Sequence, residues 1–283
     1  MKHWWKLIAL ALFLIMAMIA ASCSSSNGGG DDDAADDDAV DDDATDDDAA
    51  DDDTADDDAV DDDAADDDTA DDDTVSVSGN IVYIYNADQT IALDYQTFLE
   101  GMGYSFAAYD ITALATPPDF TAVDVFLVDN SAGMSSWDAT NSAVLTGTGK
   151  PIIGIGEGTE VFESLDQFLD RGQGWGASGD DSITPMDISH PLFTTPYDLG
   201  LTNQDDIQIT LAASEDQAVY DDGTAPADVE FLGREQGQTA HYAIVVQGVK
   251  YAEFGFSSVG PSGFTATGRH VFVNLIEYTR TAR

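Results

Sequence analysis

Three acidic side chains come shortly after apolar, β-rich runs of the sequence. Asp88 follows the run NIVYIY, Asp129 follows VDVFLV and Glu157 follows PIIGI. Because the carboxyl ends of parallel strands meet at one edge of a sheet, we expect these acids and Asn130 to be candidate ligand-binding residues. Asp88, Asp129 and Glu157 could hold a hard cation such as Mg²⁺ or Ca²⁺, or could bind the hydroxyl groups of a sugar.

A structural role is the alternative for the same acids, since carboxylates in such loops often cap the following helix and face water. The sequence leaves both interpretations open. Trp137 and Trp175 lie in predicted loops and present a similar choice, between stacking on a glycan and covering the edge of a core. The sequence contains no Gly-x-Ser-x-Gly elbow, Gly-Lys-Ser/Thr phosphate loop or His-Glu-x-x-His motif, so the common hydrolase and nucleotide-binding signatures are missing.

The cysteine count excludes several reaction types. Cys23 is the only cysteine of the 283 residues, so the chain has no disulfide framework, no thiolate metal cluster and no cysteine nucleophile after it. His190 and His241 are isolated histidines near predicted loops or strands, and we expect structural roles for both. We also expect the domain to have no resident cofactor.

The first 22 residues have the features of a bacterial lipoprotein signal peptide. A short basic region precedes an apolar run at residues 7–21, which is shorter than the roughly 20 residues that span a membrane. The following Ala-Ala-Ser-Cys resembles a lipobox, in which the cysteine sulfur receives a diacylglyceryl group before cleavage. Cys23 would then be the lipidated first residue of the mature protein, and Ser24 resembles an outer-membrane sorting signal. An ordinary cleaved signal with an incidental cysteine is the alternative.

Residues 31–73 repeat three aspartates and two small residues with a strict period of five. Five residues advance an α-helix by about 500°, so the small residues form no apolar stripe, and the dense negative charge opposes a compact state. We expect residues 23–78 to be a disordered spacer, in which the repeat alone could reach on the order of 150 Å. Weak, delocalised Ca²⁺ association is the alternative, although the repeat lacks the glycines with which calcium loops wrap an ion.

The charge of the remaining domain, residues 79–283, argues against nucleic acid as a partner. The repeat holds 27 of the 55 acidic residues, and the 28 that remain face seven lysines and arginines, a formal charge of about −21. A surface of this sign repels phosphate groups, and the sequence has no basic patch. We expect the partners to be the membrane, through lipidated Cys23, and an unidentified protein or glycan.

Alternating strand and helix patterns in this domain predict a parallel sheet with helices on both sides. The predicted elements are strands at 80–85, 105–109, 123–128 and 151–155, and helices at 91–102 and 161–169. Later β-like stretches lie at 207–211, 229–232, 242–246 and 250–256, with a hairpin turn at 247–249 and a closing helix from about 265 that buries Val271, Phe272, Leu275 and Ile276. The predicted fold class is therefore α/β: a three-layer, doubly wound, mostly parallel sheet with a β-rich C-terminal extension.

Residues 149–158 read GKPIIGIGEG. This segment resembles the strand-to-helix nucleophile elbow of class I glutamine amidotransferase-like domains, whose pattern is Lys-Pro, two apolar residues, then Gly-Ile-Cys-x-Gly. The resemblance covers residues 80–169 and the final helix, and it implies the flavodoxin-like α/β fold of that family. Gly156 occupies the position of the catalytic cysteine, and Glu157 follows it.

The family's second signature, a His-x-Glu near the last helix, is also missing. His190 is followed by Pro-Leu, and His270, inside the closing helix, has no acid two residues further on. The resemblance therefore implies a domain without glutaminase activity. It is more similar to the non-catalytic, trehalose-utilisation-like and β-galactosidase-associated branches of the superfamily.

These features together predict a lipid-anchored protein of the cell envelope, at the outer membrane and on the cell surface. It would display a non-catalytic α/β binding or interaction domain on an acidic, disordered stalk. Two further hypotheses stay open: a divergent hydrolase that uses the acidic residues at the strand ends, and a structural component of the envelope.

Replacement of Cys23 by Ser is expected to release the chain from the membrane fraction, because the acylated sulfur is the predicted tether. Cell fractionation followed by immunoblotting measures the distribution. Ser25→Ala is the matched control and should leave the chain membrane-bound. Retention of the Cys23→Ser chain in the membrane fraction would contradict lipidation as the tether.

Overall fold

The computed structural model describes residues 75–87, 89–133, 136–165, 167–170, 180–214, 217–256 and 259–281. The predicted signal peptide, Cys23, the aspartate repeat, Asp88 and Trp175 lie outside these residues. None of the helices in the described ranges has the length and apolar character needed to cross a bilayer.

Five parallel strands form one half of a ten-stranded sheet. In sheet order they are β2 (Ser105–Asp110), β1 (Asn80–Tyr85), β3 (Val125–Val128), β4 (Ile152–Ile155) and β10 (Tyr251–Phe254). Both β3 and β4 are buried at every position, as strands covered on both faces are. The predicted parallel α/β sheet is confirmed in this half.

The second half of the sheet is antiparallel and contains most of the predicted β-rich extension. Beyond β10 the order is β9 (His241–Gln247), β8 (Val229–Glu235), β5 (Ser182–Pro185) and β6 (Ile207–Gln208), while β7 (Val219–Tyr220) also pairs with β9. The hairpin between β9 and β10 is confirmed, since the Lys250 N–H donates to the Gln247 carbonyl oxygen over 3.2 Å. The extension therefore continues the parallel sheet as part of the same layer.

Helices cover both faces of the sheet. The first face packs against α1 (Gln89–Met102), the short α3 (Pro191–Thr194) and α4 (Ala266–Thr281), and the second packs against α2 (Ala139–Thr146) and several 3-10 turns. We call these the α1–α4 face and the α2 face. The closing helix α4 buries the four predicted residues completely: Val271, Phe272, Leu275 and Ile276.

The segment predicted as a helix at 161–169 is helical, but it is wound as a 3-10 helix and is interrupted. The chain forms two 3-10 segments there, Gly156–Leu165 and Phe168–Asp170. Thr159 packs so closely on β4 that its backbone lies 2.7 Å from where a Cβ of Gly154 would stand. The narrower 3-10 turn keeps the chain in this contact, and Val161 and Phe162 still become buried on the α2 face.

Other differences from the sequence prediction concern short elements. The stretch at 207–211 is a strand only over Ile207–Gln208, with an isolated bridge from Thr210 to Phe264. The sequence does not predict β5, β7, α2 or the short α3. Each of the two strands is four residues or shorter and lacks a clear apolar run.

One ionisable group lies in the middle of the sheet. Glu253 on β10 is 2 % exposed and pairs with Gly154 of β4 and Val245 of β9. Burial raises the pKa of its carboxyl group well above the usual range, because the charged form loses its hydration. The group therefore favours the protonated state in the native protein.

This burial predicts a pH-dependent difference in stability between the wild type and Glu253→Gln. A raised native pKa contributes stability that is fully present below the unfolded-state pKa of about 4.3 and is lost as the pH rises through the native pKa. The difference in free energy of unfolding, Glu253→Gln minus wild type, should therefore rise by about 1.4 kcal/mol per pH unit above pH ~4.3, until the native carboxyl group ionises.

Urea denaturation between pH 4 and pH 8 measures this difference. Glu100→Gln, on the exposed surface of α1, is the matched control for replacing a glutamate by glutamine. A Glu253→Gln curve that stays parallel to that of the wild type would contradict a protonated Glu253 in the folded chain.

Candidate functional site

The site lies at the carboxyl ends of the parallel strands. The chain runs from β1 to β2 on one side and then continues with β3 on the other side of β1, so the strand order reverses between β1 and β3. Ligands of open α/β sheets bind outside the carboxyl ends of the strands at such a switch point. The loops after β1, β3 and β4 place Asn86, Asn130 and Glu157 at this edge.

Gly156 begins the turn that follows β4. Its φ of 52° lies in the left-handed region, which strains any residue with a side chain. Gly158 is required for another reason, because a Cβ at this position would overlap the Val128 carbonyl oxygen. The turn thus keeps the sharp strand-to-helix shape of a nucleophile elbow, and glycine stands where the nucleophile of such elbows stands.

The backbone amide after Gly156 is already bonded. The Glu157 N–H donates to Asn130 Oδ1 over 2.7 Å, which joins the loop after β4 to the loop after β3. In acyl-transfer elbows the N–H of the residue after the nucleophile helps to stabilise the oxyanion. Here the corresponding donor is used for a structural contact. Asn130, predicted as a ligand-binding residue, therefore has an internal partner.

Asp129 lies beneath this contact and is 2 % exposed. Its carboxylate accepts hydrogen bonds from the Tyr83 hydroxyl over 2.5 Å, from the Ser131 N–H over 3.1 Å and from the Ser131 hydroxyl. The Ser131 bonds cap the 3-10 turn Asn130–Ala132. Asp129 therefore caps this turn, but it points into the protein and does not face water as the capping interpretation expected.

Two tyrosines complete the cluster, and the sequence analysis missed both. Tyr83 on β1 and Tyr95 on α1 have ring centroids 5.0 Å apart. The Tyr95 side chain is buried, its hydroxyl makes no hydrogen bond within the described chain, and its pKa is raised well above the usual range by burial and then by Asp129 and Asp94. A buried tyrosine usually finds a hydrogen-bond partner for its hydroxyl. Tyr83 follows this rule by bonding to Asp129, and Tyr95 does not.

The proposed shared cation has little support from the described residues. No group of three His, Cys, Asp or Glu side chains in these ranges could hold a metal ion. Asp129 uses both carboxylate oxygens within the protein, and Glu157 is half-buried in the loop after β4. Asp88, the third acid of the predicted set, lies outside the described residues, so the complete trio stays a prediction.

Trp137 lies at the same edge, just before α2. Its indole N–H donates to the Ala132 carbonyl oxygen over 2.5 Å, and its half-buried ring packs against the core of the α2 face. This contact agrees with the role of covering a core edge. Trp175, the second predicted stacking residue, lies outside the described residues.

Each described histidine contacts another side chain. His190 caps α3 by accepting from the Leu192 N–H over 3.0 Å, and its other ring nitrogen lies 3.2 Å from Glu230. The ring of His241 lies 3.4 Å from buried Glu235, although the pair does not have hydrogen-bond geometry. These contacts agree with the structural roles expected from the sequence.

His270 occupies the fifth position of the closing helix. Its ring stacks on Tyr197 with centroids 4.2 Å apart, and partial burial lowers its pKa from the usual value. The strand before this helix, β10 (Tyr251–Phe254), carries no histidine, and neither does the sequence between the strand and the helix. Neither of the family's catalytic signatures is therefore present at the corresponding elements.

No protein-family model and no curated protein matches the chain. Among solved structures, a ThuA-like protein from Bacteroides uniformis has a TM-score of 0.50 at 11% identity, covering 71% of this chain and 91% of the other. A GMP synthase-like protein from Thermoplasma acidophilum has a TM-score of 0.48 at 12% identity, over 72% and 96% of the two chains. PurLQS from Thermotoga maritima has a TM-score of 0.47 at 13% identity, over 71% and 99%.

At these identities the likeness concerns the fold alone. It extends over most of the described sheet and helices, since the match covers 71% of this chain. The chain therefore shares the α/β fold of the ThuA-like protein.

Proposed function

We propose that this chain is a lipid-anchored protein of the cell envelope that displays a non-catalytic α/β binding or interaction domain on an acidic stalk. Cys23 holds it in the outer membrane, the aspartate repeat separates the domain from the bilayer, and the domain binds a protein or glycan at the cell surface. Nucleic acid is not a partner, because the domain carries a formal charge of about −21.

The non-catalytic role is argued from two features of the turn after β4: its first residue has no side chain, and its next N–H is already hydrogen-bonded. Gly156 supplies no nucleophile, and the Glu157 N–H that follows it already donates to Asn130. Acyl transfer needs both an attacking group and free donors for the developing oxyanion. A binding role needs neither, and it is compatible with the polar side chains that line the same edge.

The alternative of a hydrolase that uses the acids at the strand ends receives less support. A general base must have a free lone pair within hydrogen-bond reach of its substrate. Asp129 is 2 % exposed and accepts hydrogen bonds from Tyr83 and Ser131 on its two oxygens. The described acids at this edge are Asp129 and Glu157, and only Glu157 is partly exposed. Glycosidase-type hydrolysis uses a pair of carboxyl groups, and a single accessible carboxylate does not supply that pair.

The absence of glutaminase activity is testable with Gly156→Cys. The variant restores a thiol at the elbow, but it restores neither the missing histidine nor the free amide of Glu157. Ammonia release from glutamine should therefore stay at background for both the wild type and the variant. Release above background by the wild type would overturn the non-catalytic role.

The binding role is tested by thermal shift of the purified chain against a panel of oligosaccharides. A ligand at about 100 times its Kd stabilises the native state by about 2.7 kcal/mol, which raises the Tm of a domain of this size by roughly 5–10 °C. Glu157→Ala should abolish the shift if the ligand occupies the strand-end edge, whereas Glu100→Ala on α1 should retain it. A shift that survives Glu157→Ala would place the ligand elsewhere.

A further inference from the structure

A cavity of about 550 Å³ lies at the amino ends of β3 and β4, at the end of the sheet opposite to the candidate site. Its walls are the loop before β3, the carboxyl end of α2 and Lys150, which precedes β4. Small-molecule sites of proteins commonly have volumes of about 300–1,000 Å³. The cavity is therefore large enough for a small ligand, and its described lining shares no residue with the strand-end edge.

Most of the side chains around the cavity are apolar or small. Pro117, Pro118, Phe120 and Val144 form its apolar wall. The Phe120 ring is 6 % exposed and packs edge-on against Phe126, with centroids 5.1 Å apart, so its position is fixed by the core. The two successive prolines restrict the backbone of the loop. The wall is thus formed before any ligand arrives, which reduces the entropic cost of binding.

Lys150 is the one cationic side chain in the described lining, and it is half-buried. The ion pairs between described residues involve His190, His241 and Arg280, and none of them involves Lys150. A lysine without an ion pair is unexpected in a domain with a formal charge of about −21, because acids are abundant there. Its ammonium group is therefore available to an anion from outside the chain.

The carboxyl end of α2 does not explain Lys150. Lysines near a helix C-terminus often bond to the last carbonyl oxygens of the helix. Here the carbonyl oxygens of Ala143, Leu145 and Thr146 already accept from the N–H groups of the three residues that follow the helix, over 2.9–3.1 Å. The helix end is therefore bonded without the ammonium group of Lys150.

Asp119 places one negative charge on the lining, at its exposed rim. The Thr121 N–H donates to Asp119 Oδ1 over 3.0 Å, and hydrogen bonds from Thr121 lower the pKa of this carboxyl group, so it is ionised at neutral pH. A second negative group on a ligand would meet this carboxylate and the acidic surface around it. The lining therefore favours a ligand with a single negative charge.

We propose that this cavity binds a small monocarboxylate with an apolar, aryl-alkyl body. The carboxylate of the ligand accepts a charge-assisted hydrogen bond from Lys150 Nζ, and the apolar body lies against the wall of Pro117, Pro118, Phe120 and Val144. Asp119 discriminates against dicarboxylates. The site differs from the strand-end edge in its place and in its ligand, so it does not rest on the function proposed above.

Isothermal titration calorimetry of the purified full-length chain with 4-phenylbutyrate tests the site. The uncharged 4-phenylbutanamide has the same body and nearly the same shape, and it should bind at least about tenfold more weakly because it loses the charge-assisted bond. The dicarboxylate 3-phenylglutarate should also bind several-fold more weakly. No measurable binding of 4-phenylbutyrate, or equal affinity for the acid and the amide, would overturn the proposal.

The residue assignments are tested with variants of the two lysines that precede neighbouring strands. Lys150→Gln should weaken binding of 4-phenylbutyrate by at least about tenfold and leave that of 4-phenylbutanamide unchanged, which a misfolded wall would not do. Lys250→Gln makes the same charge change outside the cavity lining and should keep the Kd within about twofold. Equal Kd values for the two variants would overturn the role of Lys150.

The role of Asp119 has its own readout, the ratio of the Kd values for 3-phenylglutarate and 4-phenylbutyrate. Asp119→Asn removes the negative charge at the rim and should lower this ratio several-fold. The exposed position of the side chain makes a loss of folding unexpected. Glu157→Ala, at the opposite end of the sheet, is the control and should leave the ratio unchanged. An unchanged ratio in Asp119→Asn would contradict discrimination by this carboxylate.

Discussion

The contact between the loops after β3 and β4 determines the shape of the strand-end edge. The Glu157 N–H reaches Asn130 Oδ1, and Gly158 packs against the Val128 carbonyl oxygen. These two contacts fix the turn at Gly156 without any help from a catalytic side chain. The turn is therefore held by backbone contacts and by one side-chain amide, that of Asn130.

The strands and the closing helix could be predicted because the spacing of their apolar residues reflects their burial. β3 and β4 are continuous apolar runs, since both of their faces are covered, and α4 repeats its apolar residues with helical spacing. The segment after Gly156 shows the limit of this signal. Val161 and Phe162 indicate which side is buried, but the same spacing fits an α-helix and a 3-10 helix.

The candidate site was predicted only in part, because its contacts join residues far apart in the chain. The ends of β3 and β4 identified Asp129, Asn130 and Glu157 from their positions after strands. The register between β1 and β3 places the Tyr83 hydroxyl 2.5 Å from Asp129, across 46 positions of sequence. No local pattern encodes this register, so neither the tyrosine pair nor the inward direction of the Asp129 carboxylate could be predicted from the sequence.

The position of β10 in the sheet has a consequence for the order of folding. β4 pairs with β3 on one side and with β10 on the other, and β10 is the last strand in the part of the chain that the structure describes. One hydrogen-bonding edge of β4 therefore stays open until Tyr251 and the residues after it are available, and pairing across such a distance in sequence is slow. The C-terminal segment thus both joins the two halves of the sheet and supplies α4, the helix that covers them.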